Sequence, residues 1–232
     1  MTFFLVNPNF PVEFTEKISQ YGEVLRVPEF PLLDFPVSCH PDMLAANVGG
    51  RLFIHAENTA LAALLESRGV PFSLSSAPAG KKYPKDVALN LFTAGSFLFA
   101  NTKHASREVL GFTAERGFAP AHVPQGYAKC SAMLLGDAIV TADTSIYSAA
   151  RARGLYALLI CPGSVGIEKY DTGFIGGASG ALAAGKTAVF GNILSHPEGE
   201  KILAFARERG EEIISLGEGP LFDYGGIVRL NT

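Results

Sequence analysis

The sequence predicts an α/β fold: one domain, residues 1–232, built as a ring of five ββαβ units around a pseudo-fivefold axis and closed by pairing the two ends of the chain. Three observations predict it. Entrances to apolar segments recur every 44 residues, at Asp42, Asp86, Cys130 and Phe174. Each entrance leads into the same order of strand, Gly-containing turn, strand, polar cap, helix ending in Gly, and third strand. Four copies are complete, and the fifth is divided between the termini. The units fall at approximately 223–232 plus 1–30, 38–78, 84–124, 128–165 and 172–217.

Each element has a local cause. The turns are Gly49-Gly50-Arg51, Ala94-Gly95-Ser96, Leu135-Gly136-Asp137 and Ala184-Gly185-Lys186, because tight hairpins demand positive φ. The second strands, Leu52-Phe53-Ile54, Phe97-Leu98-Phe99, Ala138-Ile139-Val140 and Thr187-Ala188-Val189-Phe190, are apolar on both faces, as strands covered on two sides are. Glu57-Asn58, Asn101-Thr102, Asp143-Thr144 and Asn192 offer side chains to cap helix N-termini, and Ser195 to Glu198 has capping-box spacing. Apolar residues then recur on one helical face, as at Leu61, Leu64 and Leu65. The helices are predicted to stop at Arg68-Gly69, Arg116-Gly117, Arg153-Gly154 and Arg209-Gly210. For the split unit, Asp223 to Leu230 supplies the entrance and first strand, Phe3 to Val6 the second strand, and Val24 to Val27 the third. Its helix is expected to end at Tyr21-Gly22. Such a split implies closure by the termini, which removes exposed sheet edges.

Composition narrows the function classes. The net charge is −3 with no Lys/Arg cluster, so a nucleic-acid footprint is absent. No apolar run approaches the roughly 18 residues of a membrane span. The N-terminal apolar run is short and reads as a buried strand rather than a signal peptide. Three widely spaced cysteines without a CxxC motif point to a reduced, cytoplasmic protein. Cys39 and Cys161 are expected to fill the core. His104 and His196 fall in first helical turns and are expected at the surface; with His55 and His122 they show no ligand spacing, so neither a metal nor a cofactor is expected.

The reactive residues sit at the entrances: His40 and Asp42, Asp86, Lys129 and Cys130 (within Gln125-Gly126-Tyr127-Ala128-Lys129-Cys130), Asp171, and Asp223. Five ββαβ units closed in this way resemble the pentein fold, the β/α-propeller of arginine and agmatine deiminases, dimethylarginine hydrolases and amidinotransferases. The resemblance implies a site in the central channel, where a cysteine attacks a guanidinium carbon, a histidine serves as acid/base and two acidic residues hold the cation. His40-Pro41-Asp42 is similar to the family's His-x-Asp element. The family's cysteine follows a Gly-Gly pair near the C-terminus, whereas this chain has Gly225-Gly226 there and no cysteine after it.

Two readings of Cys130 stand: a nucleophile needing a cationic or dipolar neighbour, or a small buried core residue. His40 and Asp42 read as acid/base and carboxylate, or as turn residues. Asp42 and Asp86 occupy equivalent positions and are expected to form a clamp for a guanidinium; without a cation, such a pair should show one raised pKa. Gln125, Tyr127, Lys129, Asp171 and Asp223 complete the expected ligand-binding set. The functional expectation is a hydrolase or transferase of a guanidino or amidine group, acting on a small molecule in the channel. The alternative is a catalytically silent binding protein for a small molecule or a protein. Gly180 to Thr187 also matches the P-loop pattern, but an apolar strand follows it where phosphate binding needs a helix, so it reads as a hairpin rather than a nucleotide site.

Overall fold

The computed structural model describes residues 1–231; the last residue of the split unit, Thr232, lies outside them. Five three-stranded sheets form, each with an antiparallel first pair and a parallel second pair. The complete units contribute Ala45–Val48, Arg51–His55 and Ser73–Ser75; Phe92–Ala94, Phe97–Ala100 and Ala119–His122; Ala132–Leu135, Ala138–Thr141 and Ala157–Leu159; and Ser179–Ala183, Lys186–Val189 and Glu212–Ser215. The split unit pairs Val228–Asn231 with Thr2–Val6, in the register Thr2 to Asn231 and Leu5 to Val228, and adds Glu23–Arg26 in parallel. Closure by the termini is therefore as expected.

Between the second and third strands of the units run the helices Val12–Ser19, Thr59–Ser67, Arg107–Glu115, Thr144–Arg151 and Gly199–Glu208. Each parallel pair needs a crossover, and a helix supplies it while covering one face of the sheet. The first strands stand innermost: Val228–Asn231 packs beside Ala45–Val48 and Ser179–Ala183, and Ala132–Leu135 packs beside Ser179–Ala183. Apolar clusters fill the wedges between units. One joins Phe3, Leu5, Leu25, Leu44, Ile54 and Leu61, and it also contains Cys130. Full burial of each such Leu or Phe contributes about 1.5–3 kcal/mol.

Local signals set most of the boundaries. Gly95, Gly136 and Gly185 have positive φ in hairpin turns, and Gly69, Gly117, Gly154 and Gly210 have it after helices. Asn58 accepts from the Leu61 amide, and Asp143 from the Ser145 and Ile146 amides. The P-loop match is a hairpin, as Ser179–Ala183 and Lys186–Val189 pair antiparallel.

Other positions differ from expectation. Ser106, not Asn101 or Thr102, caps the third helix, because the chain makes a turn after Asn101 before it coils. The Ser195 to Glu198 capping box does not form. A 3-10 turn at Ile193–Ser195 intervenes, and the Ser195 hydroxyl accepts instead from the Leu221 amide at 3.2 Å. Gly22 is required by proximity rather than by a left-handed φ, since a Cβ there would stand 2.5 Å from the Thr2 carbonyl oxygen. His196 is buried, its Nδ1 accepting from the Glu198 amide, whereas Cys161 is exposed and Cys39 half-buried. Cys39 and Cys161 lie in irregular segments after third strands, and His196 lies between a 3-10 turn and the following helix, where periodicity carries no information on burial. Among the described residues no helix is long and apolar enough to cross a membrane.

Candidate functional site

First strands run from the entrance end of the ring to the hairpin end, so the residues just before them gather around the axis at one end. His40 is extended (φ −80°, ψ 113°), and Pro41 opens a single helical turn, Pro41–Leu44. Proline suits the first helical position, where its missing N–H would be unsatisfied in any case. The turn is fixed across the ring by the Asp42 amide, which donates to the Gly225 carbonyl at 3.0 Å. Gly225, at φ +80°, lies so close to His40 that a Cβ would stand 2.3 Å from the histidine Cβ. Gly225 thus admits the histidine.

Four side chains are buried there, His40, Asp42, Cys130 and Asp223, each at most 4% exposed, and Asp223 is the one that acts on the other three. Asp223 is well held. One oxygen accepts from the Phe174 amide and the other from the Gly225 amide, both at 2.9 Å, with His40 Nδ1 3.7 Å away. Gly177 makes room for this carboxylate, since a Cβ there would fall 2.1 Å from Asp223 Oδ1. Asp42 is held poorly by comparison. Neither of its oxygens meets a nitrogen or oxygen donor, and the polar group beside it is the Cys130 thiol.

The electrostatics follow from burial. Desolvation, then the neighbouring Asp223 charge, pushes the Asp42 carboxyl up to about 7 despite Lys129. Asp223 is also raised by burial, with His40 opposing. Burial holds His40 below the ordinary imidazole value, against the pull of Asp223 and Glu168. The Cys130 thiol is pushed well up, by burial first and then by Asp42 and Asp223. In the free protein Cys130 is therefore a neutral thiol facing two acidic groups, with no activating cation against its sulfur.

The remaining expected residues take different places. Asp86 is buried, but it accepts from the Tyr127 hydroxyl at 2.7 Å, and the carboxylate that raises Asp42 belongs to Asp223. Tyr127 thus engages one Asp86 oxygen, while the other is buried without a partner, and the carboxylate whose charge acts on Asp42 is that of Asp223. Tyr127 also stacks on Phe174 at 6.2 Å. The Lys129 ammonium is 3.5 Å from the Gly176 carbonyl and acts on both carboxylates. Gln125 spans its own loop and the next helix, donating to Asp143 at 3.0 Å and accepting from the Tyr127 amide at 3.1 Å. Asp171 is exposed, outside the buried group.

Sequence reasoning missed Asn90, which is 1% exposed and bonded to both the Asp42 and the Cys130 segments. The signal was available: a single Asn inside the apolar run Val87 to Phe92 must find polar partners if it is buried. Two openings reach the cluster. A cavity of about 540 Å³ at the entrance end is lined by His40, Asp223, Glu168 and Tyr224. An axial cavity of about 180 Å³ among the innermost strands ends on Asp42 and Lys129. Among the described residues no group of three or more His, Cys, Asp or Glu could hold a metal ion.

Residues 5–228 match the model of DUF6873, a family of unknown function. No curated protein matches the chain in sequence. Solved structures share the fold. A dimethylarginine dimethylaminohydrolase variant, as its adduct with S-methyl-L-thiocitrulline, matches with a TM-score of 0.58 and 11% identity over 98% of each chain. A second dimethylarginine dimethylaminohydrolase adduct, with 4-chloro-2-hydroxymethylpyridine, gives a TM-score of 0.54 and 9% identity over 98% of each chain. An amidinotransferase of saxitoxin biosynthesis from Microseira wollei gives 0.53 and 11% identity over 94% of this chain and 78% of its own.

Proposed function

Because the chain belongs to DUF6873, a family of unknown function, its activity has to be read from its own site, and we propose that it acts on a guanidino or amidine group, as a hydrolase or an amidinotransferase-like enzyme. The observation that carries this reading is the Asp42 carboxylate, buried without a nitrogen or oxygen donor beside a second carboxylate, with the Cys130 thiol as its polar neighbour. A lone buried carboxylate is costly, and a planar cation with forked N–H donors is the partner that satisfies it best. The likeness to guanidino-modifying enzymes is one of fold, and it agrees with that chemistry.

In this reading the guanidinium lies between Asp42 and Asp223, with Lys129 and the Asp86–Tyr127 pair at its margin. Its positive charge offsets the two carboxylates that hold the Cys130 proton, so the thiol ionises when ligand is bound. The Cys130 sulfur then adds to the central carbon, and the carbon–nitrogen bond to the departing amine breaks. His40, carrying the proton taken from the thiol, delivers it to that amine. Water, or an acceptor amine in a transferase, displaces the sulfur and restores the thiol. The test is a screen of guanidino and amidine compounds for turnover. Replacing Cys130 with Ser should abolish turnover of any active compound, and unchanged turnover would overturn the assignment.

A second reading has its own observation. The raised, enclosed Cys130 thiol suits a binding protein that uses the carboxylate pair to hold a cation without reacting with it. Ligand-dependent alkylation separates the two. A thiol that reacts faster when a guanidino compound is bound supports catalysis, and a thiol that stays inert supports binding alone.

A further inference from the structure

Among the groups around the cluster, Asn90 bonds to the most of it. It lies between Val87 and Phe92, almost fully buried, and every polar atom of its side chain is used. Its Oδ1 accepts from the Lys129 amide at 2.8 Å and from the Cys130 amide at 3.2 Å. Its Nδ2 lies 2.9 Å from Cys130 Sγ, 3.1 Å from the Asp42 carbonyl oxygen and 3.2 Å from Met43 Sδ. One amide thus ties the entrance carrying Cys130 to the entrance carrying Asp42, which are 88 residues apart in sequence.

The chemistry of this contact is directional. A primary amide has two N–H donors and no ionisable proton, so its Nδ2 donates to the sulfur at any pH. A thiol accepts such a bond weakly, whereas a thiolate accepts it as a charge-assisted bond, roughly twice as strong as a neutral one. The donor therefore favours the ionised sulfur. The acidic groups around Cys130 do the opposite, and Asn90 is the neighbour that lowers the thiol against them.

We propose that Asn90 is a positioning residue for the Cys130 thiolate. Its Nδ2–H donates to Sγ, and its Oδ1 fixes the Lys129–Cys130 backbone so that the sulfur faces Asp42. The inference rests on the reading of Cys130 as a nucleophile, and it adds the group that stabilises the nucleophile's charged form.

The test titrates the Cys130 thiolate by its ultraviolet absorbance, with guanidinium ion present to offset the two carboxylates, in full-length protein carrying Cys39→Ser and Cys161→Ser, with Cys130→Ser as the blank. Absorbance reports ionisation and does not depend on reagent access to a buried sulfur. Asn90→Ala removes both halves of the amide. Asn90→Asp keeps an oxygen toward the Lys129 and Cys130 amides but loses the donor. A hydrogen bond to a charged group is worth roughly 1.5–3 kcal/mol, so the ionisation midpoint should rise by about one to two pH units in Asn90→Ala. It should rise at least as far in Asn90→Asp, where a further negative charge is added. Asn90→Gln, if its amide reaches the sulfur, should restore part of the shift. An unmoved midpoint in a variant that still unfolds cooperatively would overturn the role of Asn90; should Asn90→Ala fail to fold, Asn90→Asp alone decides. This readout is independent of turnover. A shifted midpoint with turnover surviving in Cys130→Ser would leave the Asn90 contact standing and sink the nucleophile.

Discussion

Replacing Asp42 with Asn should stabilise the ligand-free protein at alkaline pH and leave it nearly unchanged in acid. The side chains are isosteric, and only the ionisable proton is lost. Burial and Asp223 raise the Asp42 carboxyl from 3.8 to about 7. A group whose folded pKa lies above its unfolded value contributes stability that is complete below the unfolded pKa. That contribution disappears as pH rises through the folded pKa. Here the window runs from about pH 4 to about pH 7. Three pH units at 1.36 kcal/mol each amount to roughly 4 kcal/mol, an upper figure because water can relax a buried charge. Asparagine has no such dependence, so the gap between variant and parent should be small near pH 4 and open toward that figure near pH 8. Urea unfolding of both proteins across this range measures the gap directly. Taking the difference removes His40 and His55, whose depressed values destabilise the fold as pH falls. A gap that does not change with pH would refute the argument that Asp42 is a buried charge without a partner. Adding a guanidino ligand near pH 8 should stabilise the parent and not the variant.

Other consequences concern separate parts of the molecule. Gly177→Ala would place a Cβ against the Asp223 carboxylate, so it should weaken binding of guanidino compounds at least tenfold by calorimetry; equal affinity would show that Asp223 has room to move. Tyr127→Phe removes the donor that occupies Asp86, leaving a buried carboxylate oxygen unpaired, and should lower stability by about 1–3 kcal/mol in denaturant titration. Phe190→Ala, in the cluster shared with Phe4, Phe10 and Phe14, should cost about 3–5 kcal/mol by the same measurement. Nucleotides should produce no thermal shift, because Lys186 is engaged with Glu212 at 2.8 Å in a hairpin; a saturable shift that is lost in Lys186→Ala would contradict this.

The repeat was legible because its determinants are local. Turn glycines, the caps Asn58 and Asp143, and helix-ending glycines act within a few residues, so spacing alone reveals them. Even the closure of the ring follows the same grammar, since Phe3 to Val6 and the segment ending in Leu230 carry the patterns of second and first strands and pair antiparallel as those do in the other units. The same grammar placed His40, Asp42, Asp86, Cys130 and Asp223 at entrances. What spacing does not specify is how deep each side chain reaches or which neighbour claims it first. Asp86 and Asp42 stand at equivalent steps of the repeat, yet Tyr127 donates to one Asp86 oxygen while neither Asp42 oxygen meets a nitrogen or oxygen donor. Asp171 and Asp223 also stand at entrances, but Asp171 is exposed, whereas two backbone amides and the space at Gly177 hold Asp223 at the axis. The sequence by itself determined the ring and the end at which its entrance residues gather. Which carboxylate faces Asp42, and that Asn90 touches the sulfur, was decided only by contacts across the axis between segments far apart in the chain, whose geometry no local pattern records.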